Sequence, residues 1–113
     1  LASTGCATAL VAAEGAIHRS IAVTQDTANA VCDAKLQSAE ACRTFNVRLI
    51  PIISSAKTFN RAVRENSAAE IPAMLSALAG LREAVGAFFP PDMVTQLRAR
   101  LDAAYGLVVR LGR

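Results

Sequence analysis

Few residues in this chain are equipped for chemistry. There are three cysteines, Cys6, Cys32 and Cys42, and one histidine, His18. Three thiols and an imidazole are the right groups for a zinc site, but their spacing opposes one. His18 and Cys32 would share a helix, about 21 Å apart along its axis. Zinc holds its ligands at about 2.0–2.3 Å, so these groups do not converge unless that helix breaks. No metal and no cofactor is expected. His18 has Glu14 one turn before it, a spacing at which the two can pair. No Ser-His-Asp or Cys-His constellation has local sequence support, so it reads as a partly exposed or locally hydrogen-bonded residue rather than a general base. The carboxylates Glu14, Asp26, Glu40, Glu70, Glu83, Asp92 and Asp102 are scattered. No reaction has sequence support, and the chain is expected not to be an enzyme.

The cysteine pair is more informative. Cys32 closes the first predicted helix, and Cys42 lies in the first turn of the second. Asp33–Ala41 forms a turn between them. Facing helices beside a turn can bring two Cα atoms to the roughly 5.5–6 Å that a disulfide needs. On the chain-entropy view, closing so short a loop stabilises the fold by about 2–3 kcal/mol. A Cys32–Cys42 disulfide implies an oxidising compartment, the periplasm or the cell exterior. The alternative is two buried thiols in a cytoplasmic protein.

Two further features bear on location. Leu1-Ala2-Ser3-Thr4-Gly5-Cys6 resembles the end of a bacterial lipoprotein signal, in which small residues precede a cysteine that becomes diacylated. On that reading residues 1–6 are the end of a signal with Cys6 lipidated, and residues 7–113 are a single helical-bundle domain; the alternative is that Cys6 is a free thiol in a frayed start or first turn. Ser3 departs from the Leu or Val usual at its position. Lys57, Arg61 and Arg64 recur at steps of four and three on one helical face. They fit either a contact with anionic headgroups or an acidic partner, or an ordinary solvated face.

These residues must be positioned by helices. Apolar positions recur at steps of three, four and seven through four segments. The first, roughly Thr8–Cys32, carries Leu10, Ile17, Ile21, Thr24, Ala28 and Val31. The second, roughly Ser38–Glu65, carries Phe45, Leu49, Ile52, Ala56, Phe59 and Val63. Val47, Ile50 and Ile53 make its middle apolar on a second side, which predicts that this section is the most enclosed. Pro51 deletes a backbone hydrogen bond and crowds the preceding turn, so a kink is expected near it, or else a break into two helices at Ile50. The third, roughly Ala69–Phe88, follows Ser67-Ala68-Ala69-Glu70, which reads as a capping box. Pro72 places the true start a residue or two later. The fourth starts near Pro91, with Asp92 at the positive end of its dipole and Arg110 and Arg113 at the other.

Short connections make neighbouring helices antiparallel. The expected fold is therefore all-α, an antiparallel up-down-up-down four-helix bundle. Its second helix is kinked near Pro51, and its first two helices are joined by a disulfide. The composition agrees: 53% of residues are hydrophobic and many are alanine, with only 4% aromatic. That suits closely packed helices better than a β-sandwich. The longest weakly polar stretches, Leu49–Ala56 and Ile71–Leu81, are shorter than the roughly 20 residues of a membrane span.

The net charge is +3, distributed unevenly. Residues 1–40 carry two basic and four acidic groups, residues 41–66 five and one, residues 67–113 five and four. This falls short of the dense basic face of a nucleic-acid module, so no nucleic-acid partner is expected.

Ala16-Ile17-His18-Arg19-Ser20, then Gln25-Asp26-Thr27, then the cysteine pair resemble small alanine-rich helical proteins encoded by phages or prophages. Many of those are lipoproteins with no assigned activity. The resemblance spans roughly Cys6–Val85 and implies an envelope-associated helical protein without supplying a reaction. The expected function is non-catalytic action through protein–protein contacts, periplasmic or extracellular and anchored in the membrane through Cys6. Superinfection exclusion is one role of that kind. The alternative is a soluble helical subunit of a virion or other assembly, in which apolar edges such as Ile50, Ile53 and Leu81 meet other copies. A weaker third class is a carrier of an apolar ligand between helices. Homo-oligomerisation is left open.

Overall fold

A computed structural model of the protein describes residues 4–112, with side chains from residue 8 onward. Four helices follow in order: α1 Thr4–Asp33, α2 Ala39–Arg64, α3 Ile71–Phe88 and α4 Pro91–Leu111. Among the described residues there is no strand. Neighbours run antiparallel. Phe45 of α2 stacks on Phe88 of α3, Arg82 of α3 meets Asp102 of α4, and Ser20 of α1 donates to the Arg100 carbonyl of α4. The result is the up-down-up-down bundle that the periodicity predicts.

Each helix turns its apolar stripe to one shared core. Ile17, Ala28 and Val31 come from α1, and Phe45, Leu49, Phe59 and Val63 from α2. Met74, Leu78, Leu81 and Val85 come from α3, and Leu97, Leu101, Ala104 and Val108 from α4. Thr24 enters this core without an orphaned hydroxyl, because its Oγ1 donates to the Ser20 carbonyl at 2.7 Å. Such back-bonding satisfies the hydroxyl inside its own helix. By length and composition α3 could also cross a membrane, which the shorter apolar stretch read from sequence does not predict. Here its apolar face is spent on the core.

Helix ends follow local chemistry. Ser38 caps α2, its Oγ accepting the Ala41 N–H at 3.0 Å. Helices α1 and α2 close in the same way. Leu36 N–H reaches the Val31 carbonyl and Lys35 N–H the Cys32 carbonyl, while Ser67 N–H reaches Ala62 and Asn66 N–H reaches Val63. This is the Schellman pattern, and it requires a left-handed residue at the turn. Lys35 and Asn66 supply it, with φ of 59° and 60°. Asparagine tolerates that conformation and lysine does so less well. Lys35→Gly is therefore expected to stabilise the protein by about 0.5–1 kcal/mol, read as a raised denaturant midpoint at unchanged slope.

Three sequence expectations are corrected. The capping box before α3 does not form: the helix starts at Ile71, Glu70 makes no capping hydrogen bond, and Ser67 Oγ instead accepts the Ala69 N–H within the turn. The middle of α2 is not its most enclosed section, since Val47 and Ile50 are 64% and 65% exposed. Leu81 is no exposed edge; it is fully buried. A stripe of five or six positions fills the space a helix can offer its neighbours, and the adjoining flank is left outside. α2 runs unbroken through Pro51 rather than splitting at Ile50. Pro51 lies on the exposed side, where water can take up the carbonyl that the ring leaves without a partner.

Candidate functional site

The four seams between helices are unequal. α1 packs closely on α4, α4 on α3 and α3 on α2, whereas α1 and α2 meet along a much thinner contact. The cause is visible in the residues. The α1 flank facing α2 carries Glu14, His18, Ala22, Gln25 and Asn29, at steps of four, four, three and four. These are polar or small side chains that bury little apolar area. The α2 side of the seam carries Ile53, Lys57, Asn60 and Arg64, and Arg43, Asn46, Ile50 and Arg61 stand exposed beside it toward the outer face of α2.

Both ends of this thin seam are pinned. At one end Cys32 and Cys42 form the expected disulfide, with a Cα–Cα distance of 6.1 Å. The bond therefore joins the two neighbouring helices whose packing holds them together least. Beside it Phe45, Phe88 and Phe89 form a tight aromatic cluster with centroids 4.4–5.4 Å apart. Gln37 ties the turn to that cluster by donating to the Phe88 carbonyl at 2.7 Å. At the other end Arg64 reaches Glu14 at 3.4 Å. The Arg64 end of this ion pair is largely solvated while Glu14 is mostly buried, and at 3.4 Å the pair contributes at most roughly 1 kcal/mol.

Between the pins lies a groove of about 320 Å³. Ile17, Ile21, Ile53 and Ala56 form its apolar floor, and His18, Lys57 and Asn60 are among its polar walls. Glu14 Oε1 and Asn60 Oδ1 are buried near it without a hydrogen-bond donor among the described residues. A buried acceptor without a donor costs about 1–3 kcal/mol. Asn60→Leu, which is similar in volume, is therefore expected to stabilise the bundle by about 1 kcal/mol. A thermal melt of that variant with an unchanged or lowered midpoint would show that Oδ1 finds a donor in solution.

The sequence-predicted residues fall as follows. Cys32 and Cys42 are brought together. Lys57, Arg61 and Arg64 do share the α2 flank and are all exposed. Arg64 alone of them has a carboxylate partner among the described residues. His18 is exposed, in line with the reading of a partly exposed residue, and Glu14, one turn before it, instead accepts from Arg64. The side chain of Cys6 lies outside the described residues. No three His, Cys, Asp or Glu side chains among the described residues come together as metal ligands.

Sequence reasoning missed Arg43 and the exposure of Ile50 and Val47. The signal was available, since Arg43, Ile50, Lys57, Arg61 and Arg64 keep one helical spacing. It was masked because Ile50 and Val47 are apolar, and apolar residues are assigned to the core by default. No family model, curated protein or solved structure matches this chain, so its function has to be read from the α1–α2 seam and the charges along it.

Proposed function

We propose that this protein is a non-catalytic helical protein of the bacterial envelope, phage- or prophage-encoded, that acts through contacts with other proteins. The observation that carries the reading is the Cys32–Cys42 disulfide across the thinnest seam of the bundle. A bond placed where packing is weakest matters most where it stays oxidised, which is the periplasm or the cell exterior. The lipoprotein-like Leu1–Cys6 start supports attachment to the membrane through Cys6. The resemblance to phage-encoded helical proteins is consistent with both.

Intact-mass analysis of the protein recovered from its native cells tests this. The expected result is a protein in the envelope fraction with Cys32 and Cys42 linked and a diacylglyceryl group on Cys6. Recovery from the cytoplasm with three free thiols would sink the reading. An unmodified chain eluting as a large oligomer would favour an assembly subunit instead.

A further inference from the structure

The α1–α2 face differs from the rest of the surface in its charge. Along the two flanks stand four cations, Arg43, Lys57, Arg61 and Arg64, all on α2, and two carboxylates on α1, Glu14 and the exposed Asp33 one turn beyond Asn29. Glu14 is spent on Arg64. Arg43, Lys57 and Arg61 are exposed and make no ion pair among the described residues. The opposite face mixes its signs: Arg82 pairs with Asp102 at 2.9 Å, and Glu83 and Asp92 lie exposed on the same two helices.

The cationic flank also carries large aliphatic groups in the open. Ile50 lies one turn from Asn46 and Ile53 and two turns from Arg43 and Lys57, and it is 65% exposed. Val47, beside it, is 64% exposed. Cations recurring along a helix with aliphatic side chains between them suit a bilayer interface. There the charges meet anionic headgroups while the apolar groups enter the boundary below. An acidic protein surface would match the charges but would leave Ile50 and Val47 without a use.

We infer that this face, centred on Arg43, Ile50, Lys57 and Arg61, docks the bundle on an anionic lipid surface. The inference deepens the envelope reading by naming the side of the molecule that meets the membrane. It leaves the mixed-charge α3–α4 face turned outward toward protein partners. Attraction of this kind is electrostatic, so it weakens as salt rises.

The test is co-sedimentation of the full chain carrying Cys6→Ser, so that no lipid anchor contributes. The vesicles are phosphatidylcholine alone or phosphatidylcholine with phosphatidylglycerol. Binding to the phosphatidylglycerol vesicles should be roughly tenfold tighter or more, and should fall with added salt. The double variant Lys57→Glu, Arg61→Glu should lose roughly tenfold or more of that binding. Ile50→Ser should weaken it with charge unchanged, and Arg100→Glu on α4 should leave it intact. Circular dichroism establishes that each variant is folded, and Arg43→Glu replaces the double variant if that one is not.

Equal binding to both vesicle types overturns the inference, as does a loss from Arg100→Glu as large as that from the double variant. Binding to soluble polyglutamate as tight as to vesicles, and indifferent to Ile50→Ser, assigns the face to an acidic protein and also overturns it. None of these outcomes alters the thiol and lipid analysis of native protein, so the two readings fail separately.

Discussion

Replacing Phe59 by alanine is expected to destabilise the bundle by about 3–5 kcal/mol. Phe59 has no exposed surface and is the bulkiest of the fully buried side chains. It sits on the core stripe of α2 between Ala56 and Val63, both also buried. Alanine neighbours are common here, and they cannot swing inward to fill the space an aromatic ring leaves. The cavity term therefore adds to the lost transfer energy, which places the cost at the upper part of the usual range. A domain of this size has about 5–15 kcal/mol in total. Urea unfolding should show a sharply lowered midpoint with an unchanged slope. A loss below about 1 kcal/mol would mean that Phe59 is not enclosed in the core.

Removing the disulfide by Cys32→Ser with Cys42→Ser is expected to cost about 2–3 kcal/mol. The melting temperature should fall by roughly 10 °C. The distribution of the loss is more diagnostic than its size. α2 remains joined to α3 by the Phe45, Phe88 and Phe89 cluster, and α1 remains packed on α4. The seam between α1 and α2 keeps only a shallow apolar floor and the Glu14–Arg64 pair. Amide exchange should therefore quicken most in the last turns of α1, around Ala28–Ala34, and the first turns of α2. Uniform acceleration across all four helices would show that the bond constrains only the unfolded chain and not this seam.

Much of the fold is legible before any coordinates. Phe45, Leu49, Ile52, Ala56, Phe59 and Val63 recur at steps of four and three, and all six are buried. The α4 stripe Leu97, Leu101, Ala104, Val108 and Leu111 behaves alike. Such spacing places side chains on one face of a helix whatever that helix packs against. The disulfide was legible for a related reason. Ten residues separate the cysteines, and a helix end, a short turn and a helix start leave few ways to arrange them.

The candidate site was only half legible. Lys57, Arg61 and Arg64 announce a shared face by spacing alone, but nothing local says that Ile50 and Val47 stand outside while Leu81 is inside. All three are apolar residues in apolar stretches, and a helix with two apolar flanks can turn either one inward. Which one is chosen depends on where the neighbouring helix lies. The same holds for Glu14, one turn from His18 in sequence but bonded to Arg64, fifty residues away.

What the sequence by itself determined is the helices, the antiparallel order and the pairing of Cys32 with Cys42, because periodicity, turn length and loop closure are properties of the chain near each residue. What only the tertiary structure decided is that the four seams are unequal, that the disulfide spans the thinnest of them, and that cations and exposed aliphatic groups line its α2 side. Those facts depend on how much apolar surface two distant flanks can hide from each other. With Glu14, His18, Ala22 and Gln25 on one side and Lys57, Asn60 and Arg64 on the other, α1 and α2 can hide little.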